Sequence, residues 1–335
     1  MSRRGESKLG RRAFVAATVA SAGAFPSGCR TFQAPLTLPS RGGPVWHELS
    51  SERFVLRTDF GLPTAVSRVR EFEESFQMMN RVALNSAPAP PERTEVVLFE
   101  RFDDYNAVAT PGSIGFFTKA MNEQSTYIVM YGPPRQASRQ IFQHELAHRF
   151  LAHLMSGPVP VWLNQGLARY YETMEVVDGR VVLGRPGTAY GFRGTNIVQR
   201  TSLGTISIPL PAASELVRAS AQTFYDAERA VSFYAGAWLL VSMLLRSREK
   251  AFWWFVKALA RGLPPINAWR ASFPELEGAA LDQAYRRFAA RGEVVVRRVL
   301  FEPRPVSEPR ISPIPESEVE TLWPALQNNV RRGLH

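Results

Sequence analysis

The sequence predicts an α+β protein, with a small N-terminal mixed β-sheet and one packing helix followed by a mostly helical half. Three observations predict it. Short alternating or apolar stretches gather before residue 135, one long helical period lies among them, and from Gln136 onward the apolar residues recur mostly at helical spacing. The 335 residues are 45% hydrophobic, enough for one sizeable core or two modest domains, with no disordered or collagenous bias.

The first segment is set apart from the fold. Arg3, Arg4, Lys8, Arg11 and Arg12 precede the apolar run Ala13 to Phe25, which is too short to span a bilayer and has the layout of a secretory signal over residues 1–28. Gly10-Arg11-Arg12-Ala13-Phe14-Val15 is similar to a twin-arginine export signal, and Pro26-Ser27-Gly28-Cys29 is similar to a lipobox with Pro where Leu is usual. Cys29 is the only cysteine, so an intramolecular disulfide is excluded, and a lone Cys just after an apolar run is where a lipid anchor would be attached. Ordinary cleavage after Ala22-Gly23-Ala24 is the alternative. The expectation is an exported protein of the periplasm or cell envelope, with Cys29 as its membrane attachment.

The formal net charge is +10, of which the first 28 residues contribute +4. The remainder could favour an anionic envelope surface or be plain solvated surface. It shows no Lys/Arg block interleaved with aromatics along the sequence, so nucleic acid is not an expected partner.

After a linker over residues 29–45, Arg53 to Thr58 alternates like a strand, and Ala65 to Leu84 places Val66, Val69, Phe72, Phe76 and Met79 at helical spacing. A Pro-rich break at Pro88 to Pro91 leads into Val96 to Phe99, Ser113 to Phe117 and Thr126 to Tyr131, three further strands. Asp178-Gly179 between Val-rich runs is a two-residue hairpin signal, and Gly184 to Gly194 reads as a loop. Val231 to Leu245 is apolar nearly all round, and fifteen residues between Arg229 and Arg246 read better as a buried core helix than as a membrane span. Ala251 to Ala260 is another helix, stopped by Gly262 and Pro264. Residues 299–335 read as a Pro-rich C-terminal tail, extended from Pro303 to Pro315, with a short helix near Val319 to Asn329.

Chemistry concentrates in His144-Glu145-Leu146-Ala147-His148. On a helix the two histidines differ by about 40°, so both imidazoles can reach one metal ion. Glu145 lies on the adjoining edge of that face, placed to take a proton from a metal-bound water without itself being a ligand. Ala147, Phe150, Leu151 and Leu154 supply an apolar face that would bury the helix, whereas His153 is rotated about 140° from His148 and points elsewhere. Two histidines that merely hydrogen-bond their neighbours are the alternative. His47-Glu48 does not repeat the motif, because position 51 is Ser.

A third protein ligand would leave one position open for water or substrate. The metzincin pattern fails, since positions 151 and 154 are both Leu, and the aspzincin pattern fails because Gly194-Thr195-Asn196-Ile197 is followed by Val198. In contrast, Trp162-Leu163-Asn164-Gln165-Gly166-Leu167-Ala168-Arg169-Tyr170 resembles the second helix of gluzincin zinc metallopeptidases, W-L-N-E-G-L-A-x-Y. With Phe54-Val55-Leu56-Arg57-Thr58-Asp59 and Tyr234-Ala235-Gly236-Ala237-Trp238, the chain resembles the bacterial peptidase-MA-like domains over roughly residues 46 to 292.

The resemblance implies a zincin-like domain over 46–298, sheet-rich over 46–135 and helical over 136–298, that binds zinc and hydrolyses peptide bonds in a peptide or protein substrate. It implies His144, His148 and position 165 as ligands, Glu145 as general base, and Tyr234 as a phenol stabilising an oxyanion. It also implies that the strand Thr126 to Tyr131 pairs with extended substrate. Position 165 departs from the pattern. Gln165 can offer a carbonyl oxygen, but zinc loses an anionic partner, and a loss of at least roughly 10 to 100-fold in metal affinity is expected. Glu172, two turns along, is placed to act behind the ligands or at the surface, and Arg169 reads as solvated or as a partner for an acidic group. The rival reading is a non-catalytic relative that binds a peptide or envelope polymer in the same cleft, and a third is a lipid-anchored structural protein using its basic face.

Overall fold

The computed structural model describes residues 37–333, apart from the stretches 86–87, 110–112, 120–125, 133–134, 188–189, 194–195, 202–203, 227 and 293–295. The export segment and Cys29 lie outside the described residues.

The chain opens with β1 (His47–Ser50), β2 (Phe54–Thr58), α1 (Leu62–Val82), β3 (Thr94–Phe99), α2 (Phe102–Asn106), β4 (Gly115–Lys119) and β5 (Thr126–Tyr131). Two long helical elements, α3 (Arg135–Leu154) and α4 (Val161–Tyr171), come next. Five strands and hairpin arms follow in two groups, beginning with β6 (Glu175–Val177) and β7 (Arg180–Leu183), then β8 (Tyr190–Arg193), β9 (Asn196–Thr201) and β10 (Gly204–Pro209). Helices then dominate: α5 (Ala213–Arg218), α6 (Ala221–Phe224), α7 (Ala230–Ser247), α8 (Glu249–Ala260), α9 (Pro265–Ser272) and α10 (Ala279–Arg291). The chain closes with β11 (Arg297–Leu300), β12 (Arg310–Pro313) and α11 (Glu316–Gly333). This is the α+β class that the sequence predicts.

The main sheet has the order β12-β1-β2-β3-β5-β4, parallel between β2, β3 and β5 and antiparallel elsewhere. One face, including Phe54, Leu56, Val96, Leu98, Ile128 and Met130, packs on α1 and α3. Phe72 of α1 stacks on Phe142 of α3 at 3.9 Å, and Phe54 meets both rings edge-on, so aromatic packing fixes the motif helix to the sheet. The other face, with Val97, Phe99 and Val129, packs on Trp46, Tyr105 and the α11 residues Val319, Trp323 and Leu326. Burial on both faces is why β3 is a continuous apolar run rather than an alternating one.

The expected Pro-rich tail is therefore part of the fold. Its extended stretch supplies β12, which pairs with β1 through Leu49 and Ile311, and α11 covers the back of the sheet. Asp178 and Gly179 take positive φ values of 49° and 67°, the turn predicted between β6 and β7. The Gly184 to Gly194 loop needs correction. It contains β8, which joins β9 and β10 in a three-stranded antiparallel sheet inside the half expected to be helical. The sheet is local, successive segments pairing antiparallel with Ile197 opposite both Phe192 and Ile208, and Gly191 interrupts the alternation that would mark β8 as a strand.

α7 is the only helix among the described residues long and apolar enough to cross a membrane, and 67% of its window is buried. It is a core helix, packed against α4 at Gly166. A Cβ on Gly166 would lie 2.6 Å from the Ala237 carbonyl oxygen, so only glycine permits this approach.

Candidate functional site

α3 divides its residues by periodicity. Phe142, Leu146 and Phe150, four apart, are buried in the main core, while His144, Glu145 and His148 occupy an adjoining edge that meets α4. The two imidazole rings lie 4.8 Å apart and nearly perpendicular. α4 runs antiparallel to α3: Asn164 Oδ1 is 2.9 Å from His148 Nδ1, and Glu172 Oε2 is 2.9 Å from His144 Nδ1. With the Nδ1 proton directed at its acceptor, a neutral ring keeps its lone pair on Nε2, the nitrogen that a metal would take. Burial, the neighbouring His144 and Arg169 push His148 down to about 3, so it is neutral at physiological pH.

Glu172 does not extend the ligand set. Burial raises its carboxyl, but Arg169 and the His144 hydrogen bond outweigh this and hold it below the usual range. Gly187 lies over it so closely that an added Cβ would be 2.6 Å from Glu172 Oε1. Arg169 is not a solvated side chain. It donates to Glu172 at 3.0 Å and lies 5.0 Å over the Tyr234 ring.

Glu145 is buried beside the last strand of the main sheet. An added Cβ on Gly115 of β4 would be 2.5 Å from Ile141 and 3.5 Å from Glu145, so bare backbone passes the helix here. The Phe117 backbone N–H bonds the Glu145 carboxylate. Burial pushes that carboxyl above its usual range, against the pull of His144, the Phe117 N–H and Arg169.

The strand expected to pair with substrate is not an edge. β5, Thr126–Tyr131, is bonded on one side to β3 and on the other to β4, so its backbone groups are used. β4 ends the strand order, next to Glu145.

Gln165 projects from α4 beside Asn164 and is 6% exposed. Its Nε2 donates to the Tyr225 hydroxyl at 2.9 Å, and its Oε1 is buried with no hydrogen-bond partner among the described residues. Among the described residues no group of three His, Cys, Asp or Glu could hold a metal ion. A metal at His144 and His148 would therefore need a donor of another type, and the orphaned Gln165 carbonyl oxygen fits that need.

Tyr234 is half-buried near the head of α7, its ring 6.3 Å from that of Tyr225 and 5.4 Å from Phe224. Sequence reasoning missed Tyr225, which follows the short α6 and carries no motif. Its residue is 47% exposed, yet its hydroxyl reaches the buried Gln165, so the oxygen sits at the inner end. Burial raises that phenol and nearby Glu145 raises it further, against the Gln165 hydrogen bond.

The structure thus joins Gln165, Tyr225, Tyr234, Arg169, Glu172 and His144 in one connected set of contacts, with His148 and Glu145 on the facing helix. No family model matches the chain, and no curated protein matches it closely enough to count as a relative.

Proposed function

We propose that the protein is a zinc-dependent metallopeptidase of gluzincin type, exported and held at the cell envelope through Cys29. The observation that carries the reading is the orientation of His144 and His148, each bonded at Nδ1 to an acceptor, Glu172 at the end of α4 or Asn164 within it, with Nε2 left to bind a metal. Zinc held by these nitrogens and the Gln165 carbonyl would act as a Lewis acid and make water nucleophilic at neutral pH. Glu145 would take the proton of the attacking water and pass it to the leaving amine as the C–N bond breaks. The Phe117 N–H holds its carboxylate in place for both transfers. Tyr225 accepts from Gln165 and keeps its own hydroxyl proton to donate to the developing oxyanion.

The neutral Gln165 favours a second reading, a cleft that binds peptide or envelope polymer without turnover. Zinc stoichiometry separates the two when measured on the parent, Gln165→Glu and His148→Ala. The peptidase reading expects chelator-sensitive zinc in the parent, tighter zinc with Glu and none with Ala. Equal zinc in the parent and His148→Ala would overturn the assignment, and zinc absent throughout would leave the binding reading.

A further inference from the structure

The outer face of α8 carries a surface that the candidate site does not use. Its inner face, with Phe252, Trp253, Phe255, Val256 and Leu259, is buried in the main core. Lys250, Trp254, Lys257 and Arg261 follow at intervals of four, three and four residues, and all are exposed. At about 100° per residue they fall within about 60° of one another, one stripe opposite the buried face.

The stripe continues into the α8–α9 corner. Gly262 at φ 85° ends α8, donating to Leu259 O at 2.9 Å while Leu263 N donates to Ala258 O at 3.0 Å, the paired bonds of a Schellman cap. Leu263 and Ile266 then stand at the tip, 38% and 54% exposed, with Trp254 48% exposed on the stripe behind them. Single exposed apolar residues are ordinary, but an indole and two aliphatics grouped among three cations are not.

Charge identifies the occupant. Among the described residues Lys250, Lys257 and Arg261 have no acidic partner within 4.0 Å, and the nearby acids are already engaged. Glu249 pairs with Arg297 at 3.6 Å, Glu275 with Arg248 at 2.8 Å and Glu277 with Arg270 at 3.2 Å. The face is a helix and its corner rather than a groove. A surface that is cationic along the flank and apolar at the corner matches an anionic bilayer, where Lys and Arg stems lie along apolar surface while their heads meet headgroups.

We propose that this ridge seats the protein on an anionic lipid bilayer. Leu263 and Ile266 enter the boundary between headgroups and acyl chains, Trp254 lies beside them, and Lys250, Lys257 and Arg261 contact anionic headgroups. The contact is independent of Cys29 and of zinc.

The single cysteine makes a local test practicable. In full-length Cys29→Ser, Leu263→Cys is labelled with the environment-sensitive fluorophore NBD and mixed with phosphatidylcholine vesicles, with or without about 30% phosphatidylglycerol. The expected result is a blue-shifted, brighter signal with the anionic vesicles alone, reversed by about 0.5 M salt. Lys250→Gln/Lys257→Gln/Arg261→Gln in the same background should weaken the partition by roughly 100-fold. These positions are exposed, so the variant should keep the parent's circular dichroism and thermal midpoint. A label unmoved by anionic vesicles would overturn the proposal, as would a shift equal with neutral vesicles. A shift that follows protein concentration without any lipid would also overturn it, assigning the face to a second copy of the chain.

Discussion

Glu172 Oε2, one residue past the end of α4, lies 2.9 Å from His144 Nδ1, eight residues on from the Asn164 that holds His148 in the same way. Eight residues of helix are about 12 Å, and the two histidines are about 6 Å apart along α3, so the acceptors reach in from both ends of the pair. Both rings are held at Nδ1 from one neighbouring segment, α4 and its C-terminal cap. Glu172→Ala should therefore weaken zinc binding by roughly 10 to 100-fold, and Asn164→Ala by a similar factor. Competition with a chromogenic chelator measures this, and unchanged affinity in both variants would show that neither acceptor orients a ligand.

Tyr225 and Tyr234 make a pair that kinetics can separate. The Tyr225 oxygen is bonded to Gln165, whereas the Tyr234 ring is engaged by Arg169. If the oxyanion forms beside Gln165, Tyr225→Phe should lower kcat by roughly 100-fold or more with little change in KM. Tyr234→Phe keeps the ring under Arg169 and should fall less. The reverse order on a peptide substrate would return the role to Tyr234, the residue that the resemblance implied.

Gly166 sets the spacing between α4 and α7. Gly166→Ala gains about 1 kcal/mol in helix propensity. It also pushes a methyl to 2.6 Å from a carbonyl oxygen of α7, and backbone on both sides leaves little to yield. Overpacking of about 1 to 3 kcal/mol should win, so the variant loses stability by thermal unfolding. Gly61→Ala, where an added Cβ meets none of the described residues within 4 Å, is the control and should be nearly neutral. A Gly166→Ala midpoint at or above the parent's would refute close helix packing as the reason for this glycine.

What could be read in advance follows from how local each signal is. α3, α7 and α8 carry their own periodicity over several turns, and the Asp178-Gly179 turn is specified by two adjacent residues. β1 and β12 are four residues each, His-Glu-Leu-Ser and Arg-Ile-Ser-Pro, and become strands only by pairing with each other and with β2. The place of β5 inside the sheet depends on strand order, which no single segment encodes. Within the site, His144, Glu145 and His148 are fixed by spacing on one helix. Tyr225 arrives from sixty residues beyond Gln165 and carries no pattern of its own. Arg169 could not be told from a surface arginine until Glu172 and Tyr234 were seen around it.

Asp59 offers a test of buried charge far simpler than the site itself. It follows β2, is 5% exposed, accepts the Glu100 N–H through Oδ1 at 2.8 Å, and has no hydrogen-bond partner for Oδ2 among the described residues. Burial pushes its carboxyl from 3.8 up to about 6, with Asp104 and Glu100 adding to the rise and backbone hydrogen bonds opposing it. Between these two values the folded state holds more protons than the unfolded one, so stability falls as pH rises through about 6 and stays lower above it. Asp59→Asn keeps an oxygen for the Glu100 N–H and removes the charge. It should stabilise the protein by at most about 3 kcal/mol near pH 7.5, with the gain shrinking towards pH 4.5. Thermal midpoints of parent and variant at the two pH values decide it, because a difference independent of pH would mean that Asp59 is not ionised at the expense of the fold.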